Sequence, residues 1–87
     1  METMIGHPRL SRLFRMQWEE AQGAYVLLYP EGMVRLNGSA AEILKRCDGR
    51  SAVPEIVAQL ERAFNAQGLE ADVQAFVADA RQRGWLV

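Results

Sequence analysis

The sequence predicts an α+β domain in which a three-stranded antiparallel sheet is followed by three α-helices. Three observations carry that expectation. Apolar residues alternate with period two in the first third of the chain, recur at helical spacing from residue 39 onward, and are punctuated by Gly, Pro, Asn or Asp at each change. The 87 residues are 49% apolar and 24% charged, the balance of one globular unit with a single small core. Residues 1–12 are expected to form a flexible N-terminal arm and residues 13–87 the domain.

The strands come first. From Leu13 to Glu19, Phe14, Met16 and Trp18 alternate with Arg15, Gln17 and Glu19, a half-buried strand with one wet face. Glu20 to Gly23 is the turn. Ala24, Tyr25, Val26, Leu27, Leu28 and Tyr29 are apolar on both faces, as expected of a central strand covered above and below. Pro30, Glu31 and Gly32 make a tight turn in which proline sets φ, and Met33 to Leu36 form a short third strand. The first and third strands are therefore edges.

The helices follow. Asn37 and Gly38 end the sheet, and Ser39 with Glu42 three residues later reads as a capping box. Ala40, Ile43, Leu44 and Cys47 share one buried stripe, which Asp48 and Gly49 stop. A second helix starts between Ser51 and Pro54, where proline in the first turn loses no helical hydrogen bond. Its stripe is Val53, Ile56, Val57, Leu60 and Phe64, and Gln67 with Gly68 break it. A third helix runs from Glu70 to Arg83 with Val73, Phe76, Val77 and Ala80 inward; Gly84 caps it, and Trp85 is expected to close the core.

Composition excludes several function classes. Ten basic and eleven acidic residues give a net charge of −1, unlike a protein that coats nucleic acid. No apolar run approaches a membrane span. Residues 1–8 have neither a basic start nor an apolar core, so no secretory signal is read and the cytoplasm is the expected location. The single cysteine, Cys47, and single histidine, His7, are 40 residues apart and do not supply the three or four ligands of a zinc site. Cys47 falls in an apolar helix register and His7 in the arm, so both are expected to be inert. The glycines are scattered rather than clustered around a phosphate. No enzyme activity, metal or cofactor is expected.

Strands followed by three short helices, the last two joined by a brief glycine-containing turn, form a winged helix-turn-helix-like arrangement. DNA binding is the first inference from that arrangement, and it is the alternative function. Charge opposes it. The third helix carries Glu70, Asp72 and Asp79 against Arg81 and Arg83, and the second carries Glu55 and Glu61 against Arg62. Phosphate neutralisation supplies most nonspecific affinity, so units of this sign are repelled.

The segment Tyr29-Pro30-Glu31-Gly32-Met33-Val34-Arg35-Leu36-Asn37, then Ala41 with Ile43 and Leu44, then Cys47-Asp48-Gly49, then Val53, Glu55, Ile56 and Leu60, closely resembles the PqqD family. Pro8-Arg9-Leu10 and Leu27-Leu28 upstream fit the same pattern, so the resemblance covers roughly residues 8–66. It departs at Ala21 and Gln22, where a more basic turn is expected. The resemblance implies a non-catalytic peptide chaperone of pyrroloquinoline quinone (PQQ) biosynthesis, a recognition element for ribosomally made precursor peptides. Its partners would be the precursor peptide PqqA and the radical SAM enzyme PqqE, which joins a Glu and a Tyr side chain of the peptide. The iron–sulfur clusters belong to that enzyme, since one cysteine holds no such cluster.

An edge strand offers N–H and C=O groups to an extended peptide, which adds as a further strand while alternate side chains seek pockets. Of the two edges, the resemblance favours the third strand, Met33, Val34, Arg35 and Leu36. It also favours helix three as the groove wall, with Val73, Phe76, Val77 and Ala80 as candidates. Each of those four also reads as ordinary core, and Arg35 reads equally as a partner for a peptide carboxylate or as a solvated cation. An apolar edge also invites self-association. Some population of homodimer is expected without peptide, through edge pairing or exchange of N-terminal strands; the alternative is a monomer whose helix three and Trp85 segment shield the groove.

Overall fold

The computed structural model describes residues 6–87. Its elements are β1 (Arg15–Glu19), β2 (Ala24–Tyr29), β3 (Gly32–Arg35), α1 (Gly38–Lys45), α2 (Val53–Ala63) and α3 (Glu70–Gln82). The sheet is antiparallel in the order β1-β2-β3, with Met16 opposite Leu27 and Leu27 opposite Val34. The expected α+β order is the observed one.

This register puts Met16, Tyr25, Leu27, Val34 and Leu36 on one face, because side chains alternate along each strand. Leu27 and Leu36 join Ile43, Leu44, Ile56, Leu60, Val73, Val77 and Leu86 in the core. The two-sided cover expected for β2 is not found: Val26 and Leu28 are outside that core cluster. Val26 is nonetheless fully buried, between its cross-strand neighbours Gln17 and Arg35.

Helix ends differ from expectation in two places. Asn37, not Ser39, caps α1: its Oδ1 accepts from the Ala40 N–H at 2.8 Å. Glu42 is instead held by Arg46 at 2.9 Å and Lys45 at 3.2 Å. In α2 the Glu55 carboxylate accepts from the Ala52 N–H at 2.8 Å, with Pro54 in the first turn as expected. Phe64 leaves the stripe predicted for it, because the helix ends at Ala63 and Asn65 takes φ 50°; the residue is 53% exposed.

The C-terminus closes the core through a Schellman turn. Gly84 adopts φ 83°, its N–H donates to Arg81 O at 3.0 Å, and the Trp85 N–H donates to Ala80 O at 2.9 Å. Leu86 rather than Trp85 is the buried residue; Trp85 lies half-buried against Phe76. Part of the segment read as a free arm is tied to this end. Arg9 and Val87 exchange backbone hydrogen bonds at 3.2 and 2.9 Å, Ser11 donates to Trp85 O at 2.8 Å, and the Gly49 N–H donates to Pro8 O at 3.0 Å. Pro8 is fully buried, and a side chain at Gly49 would meet Arg9 Cδ at 3.3 Å. The first five residues of the expected arm lie outside the described residues.

Candidate functional site

The hydrogen-bond parity of the sheet determines what each edge offers. The Leu36 N–H donates to Tyr25 O at 2.9 Å, so Tyr25 and Leu36 form a hydrogen-bonded pair. Such pairs alternate along an antiparallel ladder, which makes Val34 and Leu27 the next one. The intervening residues, Met33 and Arg35, therefore aim their N–H and C=O groups away from β2, at an edge no described strand occupies. Their side chains are exposed, whereas Val34 and Leu36, on the helix side, are half-buried and buried.

Two residues beyond Leu36 a cavity of about 480 Å³ opens. Gly38, Ser39, Glu42 and Ile43 of α1 line one side, Leu60 and Phe64 at the end of α2 another, and Leu69, Asp72 and Val73 at the start of α3 the third. Its floor is apolar and its rim acidic. Arg46, whose guanidinium is hydrogen-bonded to Glu42, holds that carboxyl below its ordinary value.

The structure brings together some of the predicted residues and separates others. Met33 to Leu36 form one continuous edge. Of the four α3 residues expected as wall, only Val73 lines the cavity; Val77 and Ala80 are 2% and 0% exposed and present no surface to a ligand. Phe76 is half-buried, its ring 6.5 Å from that of Trp85. The expected groove wall is thus largely core, because Val73, Val77 and Ala80 sit on the stripe of α3 that joins the buried cluster and packs on α2.

Sequence reasoning missed Phe64 and Leu69 as lining residues. The signal available was their position, since both border the break at Gln67-Gly68 where helical periodicity no longer dictates orientation. Cys47 is buried and donates to Ile43 O at 3.3 Å, and burial pushes its thiol up to about 11. His7 is exposed. Among the described residues no three His, Cys, Asp or Glu side chains gather as a metal site. No helix of the described residues is long and apolar enough to cross a membrane.

Comparison with known proteins places this geometry in a family. The family model described as Coenzyme PQQ synthesis protein D (PqqD) matches residues 24–86. The "PqqA binding protein" of Methylococcus capsulatus is 53% identical over 77 residues, 88% of this chain and 83% of that one. Its counterpart in Azotobacter vinelandii is 52% identical over 85 residues, covering 97% and 92% of the two chains. Among solved structures, the solution NMR structure of the PqqD truncation of Methylobacterium extorquens PqqCD is similar with a TM-score of 0.76 and 34% identity. It covers 92% of this chain and 87% of that one, and it is described as a functional, stand-alone RiPP recognition element. With the matched model running from β2 to the closing Leu86, the chain belongs to the PqqD family.

Proposed function

We propose that this chain is a peptide chaperone of PQQ biosynthesis, binding a PqqA-type precursor peptide as a fourth strand on β3 and presenting it to the radical SAM enzyme PqqE. The observation that carries the reading is the open β3 edge. Met33 and Arg35 aim backbone donors and acceptors outward in register for an extended peptide. Relatives at about half identity bear the name PqqA binding protein, which supports the choice of ligand.

Peptide side chains that fall on the side of Val34 and Leu36 run toward the cavity beyond Gly38. Phe64, Leu69 and Val73 there offer an apolar seat. Phe76 stands further along α3, and Val77 and Ala80 support that helix from beneath. The chain contributes binding and presentation in the cytoplasm and no bond-making step of its own, in keeping with a thiol that is buried and neutral.

Titrating the labelled protein with a PqqA peptide tests this. Amide shifts are expected to concentrate at residues 33–36 and around Phe64 to Val73. Shifts confined to the Glu20–Gly23 turn and the N-terminal segment would overturn the site. A complex with DNA that weakened steeply as salt rises would favour the DNA-binder class, whereas strand addition of a peptide with apolar anchors responds little to ionic strength.

A further inference from the structure

The helices pack on the face of the sheet that carries Leu27, Val34 and Leu36. Building on the chaperone reading, we infer that the opposite face docks an acidic, apolar-centred surface of the enzyme that receives the peptide. Strand alternation determines its residues. Arg15, Leu28 and Met33 lie opposite one another in one cross-strand row, and Gln17, Val26 and Arg35 form the next. Arg15, Gln17, Met33 and Arg35 are exposed, and Leu28 is half-buried between Arg15 and Met33. Beside the first row a shallow hollow of about 680 Å³ extends the surface, lined by Arg12, Leu13, Arg15, Leu28 and Pro30 among others. Leu13 is 67% exposed there.

Charge identifies the occupant. Arg12, Arg15 and Arg35 have no side-chain hydrogen bond or ion pair among the described residues, and the carboxylates that border the surface, Glu19 and Glu31, stand at its two ends. The helices together hold more acidic than basic side chains, among them Glu55, Glu61, Glu70, Asp72 and Asp79. An acidic partner is therefore drawn to the sheet and turned away from the helical layer, which orients the encounter. Leu13, Leu28 and Met33 between the arginines add the apolar centre of a protein interface, where Arg and Met are enriched; phosphates would leave those side chains without a partner.

Position makes this surface suited to a transfer. A peptide added to β3 sends alternate side chains to the two faces of the sheet, one set toward the helices and the other beside Met33 and Arg35. A protein seated on the outer face touches the chaperone and the presented side chains together, and it leaves the β3 edge to the peptide. Three strands of about five residues span roughly 14 by 17 Å. That is less than a standard interface, so the contact is transient.

Binding of PqqE to the full chain, measured with and without saturating PqqA peptide, tests the inference. Arg12→Glu and Arg15→Glu are each expected to weaken PqqE binding about fivefold or more while leaving the affinity for the peptide unchanged. Arg62→Glu makes the same charge change on the exposed side of α2 and is expected to bind PqqE as the parent does. Circular dichroism checks that each variant is folded. Parental PqqE affinity in the folded Arg12→Glu and Arg15→Glu variants overturns the inference and leaves the chaperone reading standing; a parent that binds no PqqA peptide overturns both. An equal loss in Arg62→Glu would reduce the effect to diffuse charge and overturn the docking face. PqqE displaced by saturating peptide would place both on one surface and do the same. Duplex DNA that binds the parent and loses affinity in Arg15→Glu would assign the face to nucleic acid instead.

Discussion

Proline at Arg35 and at Val34 should separate binding from folding, although the two positions are neighbours on one short strand. The Arg35 N–H points out of the sheet, so Arg35→Pro removes no ladder bond, and proline is tolerated on an edge whose N–H faces solvent. The expected stability cost is below about 1 kcal/mol, from adjusting φ alone. Peptide binding suffers more. One backbone donor is gone, about 1 kcal/mol net, and the ring obstructs the incoming strand, so affinity should fall roughly 10-fold. Val34→Pro deletes the donor that the fully buried Leu27 accepts from and should cost roughly 3 kcal/mol or more of stability. Arg35→Ala isolates the side chain and should bind nearly as the parent does. Calorimetry with a PqqA peptide gives the affinities and urea unfolding the stabilities. Unchanged affinity in a folded Arg35→Pro variant would show that the peptide does not add to β3, and unfolding of that variant would show that the ladder parity is wrong.

Three further outcomes follow from single side chains. Asn37→Ala should cost about 1 kcal/mol by removing the 2.8 Å cap of α1, whereas Ser39→Ala should be near neutral; equal urea midpoints for the two would contradict the assignment of the cap. Phe64→Ala should change stability by less than about 0.5 kcal/mol, its ring being exposed, yet weaken peptide binding if the cavity takes an anchor; a destabilised variant with parental affinity would make Phe64 structural. The Cys47 thiol is raised from 9.0 to about 11 in the fold, so the neutral form stabilises the native state fully below pH 9, and that contribution disappears as pH rises through 11. Its size is roughly 2–3 kcal/mol, so the stability gap between the parent and Cys47→Ala should narrow over that interval, and a gap independent of pH would refute the burial argument.

Local periodicity revealed the elements, and contacts between distant residues decided most of what it missed. Alternation at Phe14, Met16 and Trp18 and the run Ala24 to Tyr29 located two strands to within two residues. The stripe Val73, Val77, Ala80 correctly marked the buried side of α3, but a period cannot say whether a buried side faces core or ligand; here it faces core. Two side chains competed to cap α1, and the end of β3 at Arg35 left Asn37, not Ser39, in the extended conformation a cap requires. The apolar spacing of α2 continues to Phe64 although the helix ends at Ala63, because nothing before the left-handed Asn65 announces that end. Pairing of Arg9 and Leu10 with the last two residues joins opposite ends of the sequence and has no local signal at all.

The charges on the surface oppose the DNA-binding reading that the order of strands and helices first suggests. The exposed positions of α3 include Glu70, Asp72 and Asp79, and Arg83 is committed to Asp79 at 2.8 Å and stacked 5.5 Å from the Trp85 ring. A phosphate approaching that face meets carboxylates first and must draw Arg83 out of its pair. A peptide approaching β3 meets outward N–H and C=O groups that no described strand pairs and that recognise any extended backbone equally. In the proposed mode, ladder bonds therefore supply affinity without choosing a sequence. Selection falls to the side chains that reach the helix side of the strand, where the apolar floor formed by Ile43, Leu60, Leu69 and Val73 accepts a hydrophobic residue and the carboxylates of Glu42 and Asp72 disfavour an acidic one. A peptide with an acidic residue substituted at the anchoring position should thus lose affinity while keeping its backbone contacts, and neutral substitutions outside the anchor should not.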